Sequence, residues 1–138
     1  MPIPYRVQVF SASEMPRIAQ PGDGPFLNIK PTALTTVGAG TLLANLLTTG
    51  FLLRTGPTGA YADTIDTGAN LDTAFPALIV GDAIDIYYSN NVAFASTITA
   101  ATGVTLVTAT ANNVVAASTG RLLHLVKTGV ATYNLYVI

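Results

Sequence analysis

From Ala83 to its end the chain is cut into short pieces whose apolar residues recur at every second position, and this period constrains the fold more than any other feature. In "AIDIYY" (83–88), Ile84, Ile86 and Tyr88 share one face while Asp85 and Tyr87 share the other, the alternation of a half-buried strand. "SNN" turns the chain. "VAFASTIT" (92–99), "VTLVT" (104–108), "NVVA" (113–116), "RLLHLVK" (121–127) and "ATYNLYVI" (131–138) then follow at roughly the 8–12-residue spacing of a sandwich or barrel. "RLLHLVK" is apolar on both faces, Leu122 and Val126 on one and Leu123 and Leu125 on the other, which predicts a central strand or one covered outside by another chain. The connections are shorter than the dozen or more residues that a parallel crossover takes. The expected fold is therefore all-β: an antiparallel β-sandwich, jelly-roll-like, with one or two short helices.

Upstream, "TLLANLLTTGFLLRT" (41–55) predicts a short helix with Thr41 as its cap and Gly50 at its left-handed end, then a strand over Phe51 to Arg54. "TGPTG" is a turn. Six of the eight prolines lie in the first 31 residues, and each fixes φ and removes a backbone donor, so no regular sheet core forms there. The expected division is an extended proline-rich arm over residues 1–31 and a β-sandwich domain over 32–138. Within the arm, Tyr5, Arg6, Phe10, Arg17 and Phe26 are the expected partner contacts. An amino-terminal strand followed by a long loop is the alternative reading of the same segment.

Only 9% of the residues are charged, against roughly 25% in an ordinary soluble domain, so such a surface is expected to be covered. A bilayer is not the expected cover: "TLLANLLTTGFLL" is broken by Asn45, Thr48, Thr49 and Gly50, short of the roughly 18 apolar residues of a spanning helix. "MPIPYRVQVF" lacks the marks of a secretory signal. The six basic residues are scattered and the net charge is −1, which leaves no footprint for nucleic acid. Without cysteine there is no disulfide, thiol nucleophile or thiolate metal site.

"DTIDTGANLD" (63–72) contains Asp66-Thr67-Gly68, the tripeptide on which aspartic proteases build a catalytic carboxylate, and "ALIVGD" (77–82) resembles the apolar pair plus glycine that buttresses it. Such chemistry needs two facing carboxylates, which a chain of this length supplies only as a symmetric homodimer. Charged Asp63 stands where the strand into the loop should be apolar, and no room remains for a covering flap. A two-turn helix capped by Asp66 or Thr67 and ending before Pro76 accounts for more residues. Were a metal held, Asp63 and Asp66 would be its ligands, with Ca²⁺ the hard cation they suit, but caps and solvated turns explain the acids without one. His124, with Ser118 upstream and no acid near it in sequence, reads as a packed or interface histidine rather than part of a triad. "GAG" (38–40) lacks a phosphate loop's lysine and reads as a turn. No cofactor and no enzymatic activity are expected.

The order of "TLLANLLTTGFLLRTGPTGAYADTIDTGANL", "GDAIDIYYSNN", "ATGVTLVT" and "GRLLHLVKTGVATYNLYVI" resembles the small capsid decoration, or cement, proteins of tailed bacteriophages. The resemblance implies a jelly-roll or related sandwich, made in the bacterial cytoplasm, that forms a homodimer or homotrimer and sits outside the head. There it would clamp neighbouring copies of the major capsid protein, with no catalytic residues to carry over. A tail-fibre or receptor-binding β-module is the alternative.

Overall fold

In a computed structural model that describes residues 30–109 and 112–138, the fold is all-β, with two sheets and two short helices. Residues 1–29 of the expected arm, with its contacts Tyr5, Arg6, Phe10, Arg17 and Phe26, lie outside the described residues. The elements run β1 (Thr32–Leu34), β2 (Gly40–Leu42), α1 (Ala44–Leu47), β3 (Phe51–Arg54), β4 (Tyr61–Ile65), α2 (Gly68–Ala74), β5 (Ala83–Asn90), β6 (Ser96–Ala100), β7 (Val104–Leu106), β8 (Val114–Val115), β9 (Thr119–Gly129) and β10 (Thr132–Val137). The larger sheet has the order β1-β3-β5-β9-β10-β7, and the smaller β2-β4-β6-β8.

Strand direction corrects the antiparallel expectation. Among the described residues, five of the eight pairings are parallel: β1 with β3, β3 with β5, β2 with β4, β4 with β6, and β7 with β10. The reason lies in the order of the elements. From β1 to β9 each successive strand joins the other sheet, so a short connection links layers and not neighbours. Four of the five parallel pairs are two strands apart in sequence and β7 with β10 three apart, and residues 35–50, 43–60, 55–82, 66–95 and 107–131 supply the long crossovers that parallel pairing requires.

Alternation then builds the core. Leu42, Ile65, Ile98 and Val115 of the smaller sheet meet Leu52, Ile86, Leu123, Leu125 and Leu135 of the larger in one buried cluster. Burying each such side chain contributes about 1.5–3 kcal/mol. The faces expected for β5 and β9 are the faces observed, with Ile86, Tyr88, Leu123 and Leu125 inward. β9 is also an interior strand, paired to β5 and β10. Gly50 has φ +73 as expected, but Thr41 belongs to β2, and Leu43 begins α1 without a side-chain cap of its own. "SNN" is not wholly a turn either, because Ser89 and Asn90 finish β5.

Candidate functional site

Each residue of the protease-like tripeptide has a structural partner. Asp66 follows β4, and its Oδ2 accepts the Ala44 amide at 3.0 Å, supplying from a distance the cap that Leu43 lacks. Its Oδ1 accepts from the Thr67 amide at 2.8 Å and the Asn70 side chain at 2.7 Å. Burial pushes the Asp66 carboxyl up, but these three donors outweigh it and hold the carboxyl below its ordinary range. Thr67 caps α2, its Oγ1 accepting the Asn70 amide at 3.3 Å. Gly68 is where the β9–β10 turn lands: a Cβ there would stand 1.9 Å from the Ala131 carbonyl oxygen. Two residues short of the end of α2, Asp72 accepts from the Ala131 amide at 2.8 Å, the Tyr133 hydroxyl at 2.6 Å and Lys127 at 2.8 Å. The segment thus ties both helices to the far hairpin.

Asp63, the other carboxylate considered for a metal, is fully buried and belongs to a polar network inside the core. β4 places Tyr61, Asp63 and Ile65 inward, and β3 places Leu52 and Arg54 inward, so the two strands' charges meet between the sheets. Arg54 Nε donates to Asp63 Oδ2 at 2.8 Å. Its other nitrogens donate to the carbonyls of Leu34, Thr36, Thr55 and Gly38, and its guanidinium lies 4.8 Å from the centre of the Tyr61 ring. Asp63 also accepts from the Gly40 amide at 2.9 Å and the Tyr88 hydroxyl at 2.7 Å. Tyr88 lies 2.9 Å from Ser96 Oγ, Tyr61 donates to Asn90 Oδ1 at 2.6 Å, and Asn90 donates to the carbonyls of Phe94, Val115 and Ala116. Burial pushes Tyr88 and Tyr61 up, so both phenols stay protonated as donors. A buried ion pair persists only when its remaining donors and acceptors are met, and here they are. Each oxygen of both carboxylates accepts at least one hydrogen bond from the chain itself. Among the described residues, no three His, Cys, Asp or Glu side chains gather as a metal would need.

The outer face of the larger sheet is the contrasting surface. Phe51 and Leu53 of β3, Tyr87 of β5, Leu122 and Val126 of β9 and Tyr136 of β10 point away from the core at positions alternate to the buried ones. Tyr87 packs beside Phe51, ring centres 5.3 Å apart, and over Gly120, where a Cβ would meet its hydroxyl. The only acidic or basic side chains in outward register on these strands are Asp85 and His124. They sit directly opposite each other on β5 and β9 and are joined through His124 Nδ1. His124 therefore has an acid partner that its sequence neighbours did not reveal. Ser118, six residues before it, lies about 20 Å away along an extended chain and forms no triad with the pair.

Sequence reasoning placed His124 and the helix after Thr67 but missed the Arg54–Asp63 network. A usable signal was present: Arg54 alternates with Leu52, and Asp63 with Tyr61 and Ile65, so each charge occupies an inward position of an otherwise apolar face. Compared with protein-family models, with curated proteins and with solved structures, the chain matches none.

Proposed function

We propose that this chain is a structural virion protein that binds the outside of a phage head as a homo-oligomer and stabilises the shell by clamping neighbouring major capsid subunits. The proposal rests on the order of sequence blocks set out above and on one structural observation, the apolar outer face of the six-stranded sheet. A face that displays Phe51, Tyr87, Leu122 and Tyr136 around a single acid–base pair suits burial against protein, since obligate interfaces are the more apolar ones. In this reading the domain is a two-layer β-sandwich whose likeness to a jelly roll lies in its two facing sheets and not in strand direction. Residues 1–31 act as the clamp by strand addition, in which backbone hydrogen bonds give affinity and Tyr5, Arg6, Phe10, Arg17 and Phe26 give contacts. Stabilisation follows by mass action, because a ligand that binds only the assembled shell opposes its dissociation.

The test is addition of the purified protein to expanded heads lacking it. Saturable, stoichiometric binding with a rise in the heads' melting temperature is expected. Absence of binding overturns the proposal, and attachment to host cells or glycans instead would assign the chain to receptor recognition.

A further inference from the structure

The outer face is apolar apart from one acid–imidazole pair, Asp85 and His124, joined across neighbouring strands. A foreign partner would need the same pair, reversed, at the same place. A second copy of this chain supplies it by symmetry: turned about a two-fold axis that lies in the interface plane, parallel to β5 and β9 and midway between Asp85 and His124, it sets its own His124 against Asp85 and its own Asp85 against His124. Such an isologous contact requires a self-complementary patch. The parts of one are present. Asp85 keeps 58% of its side chain exposed and His124 32%, so each retains a free edge for the second copy despite their mutual bond. Around them Tyr87 is 42% exposed and Ile138 63%, and Leu122, Val126 and Tyr136 are half-buried, which makes an apolar ground with the pair at its centre. β9, apolar on both faces, is interior within its sheet, so edge pairing leaves its outer side chains uncovered by any other strand.

We propose that the outer face of the six-stranded sheet is a homodimer interface, two copies meeting face to face with reciprocal Asp85–His124 contacts at the axis. The inference deepens the homo-oligomer part of the proposed function and names its contact surface.

Sedimentation equilibrium of the full chain, without heads, tests it. The expected result is a mass of two chains, or an even multiple. Leu122→Glu and Ile138→Glu should each halve that mass, with circular dichroism confirming the fold; Ile138 is exposed enough that its replacement spares the core. Asp85→Arg should weaken association by tenfold or more, because it replaces the carboxylate that faces the second copy's His124 with a bulky guanidinium that cannot accept a hydrogen bond. The exchanged variant, Asp85→His with His124→Asp, should restore association, since both copies invert together; a foreign partner would not follow. A single-chain mass for the wild type overturns the proposal and leaves the face to residues 1–29 or to another protein. So does an odd oligomer whose mass none of these variants moves. Single chains that still bind heads would contradict this interface alone, whereas a two-chain mass with no binding to heads would contradict the shell reading alone.

Discussion

On its inner face the six-stranded sheet carries Arg54, Tyr88 and Asn90; on its outer face, one residue along the same strands, it carries Leu53, Tyr87 and Ser89, with Leu122 beside them on β9. The inner polar groups are buried and supplied with partners, so that side has no remaining demand for a ligand. The outer apolar groups are half-exposed, so that side gains free energy from any cover that fits. The difference teaches where to look for function: chemistry-bearing residues that are saturated hold shape, and plain aliphatic and aromatic residues left uncovered hold the capacity to bind.

Four substitutions can break or sharpen that contrast. The largest effect is expected from Asp63→Leu, which strands the buried Arg54 guanidinium and the Tyr88 hydroxyl and should cost about 3–5 kcal/mol in urea unfolding. The double variant Arg54→Met with Asp63→Leu should lose less than the sum of the single losses, by about 1 kcal/mol or more; strict additivity would mean that the network is not a unit. Next comes Gly68→Ala, expected to cost about 3 kcal/mol because its methyl would drive into the Ala131 carbonyl. An unchanged unfolding midpoint would show that the hairpin does not rest on this helix.

The third effect depends on pH. Lys127, then the Tyr133 hydroxyl, then the Ala131 amide hold the Asp72 carboxyl at about 2, below its ordinary 3.8. The folded value is the lower one, so the stabilisation is complete above about pH 4 and is lost as the pH falls toward 2. Asp72→Asn should flatten the stability profile between those limits, and a variant as acid-sensitive as the wild type would deny Asp72 its role. The smallest effect belongs to Thr67→Ala, which removes the cap of α2 and should cost about 1 kcal/mol. All four act from inside or at the helix junction. None should change the mass of the assembled protein at neutral pH, while the outer-face variants should change mass with little effect on the unfolding of the single chain.

The parts of this contrast that could be read in sequence are the parts governed by local pattern. Period-two alternation placed Ile86 and Tyr88 inward and Tyr87 outward, and the Gly50 and Thr67 signals marked helix ends correctly. Pairing was not legible, because "AIDIYY" does not say which sheet its neighbour in sequence enters, and alternation between sheets turned short connections into parallel ladders. β4 was hidden for another reason: buried Asp63 reads as polar surface until Arg54, brought by β3, neutralises it. Of the two caps expected for α2, Asp66 or Thr67, it is Thr67 that serves, and Asp66 caps α1 through the Ala44 amide 22 residues earlier, a contact that only the tertiary fold creates. The outer face was half legible, since "RLLHLVK" announced a need for cover on both sides, but its centre lies in Asp85, which is 39 residues from His124.

His124 offers the most direct measurement, because it is the only histidine in the chain. Its rate of acylation by diethylpyrocarbonate, followed by peptide mass, reports whether the middle of the outer face meets solvent. The account predicts that His124 is shielded in the wild type, that shielding rises with protein concentration, and that Leu122→Glu exposes it at every concentration. Equal, rapid reaction of His124 in wild type and variant at all concentrations would contradict the claim that this face is covered.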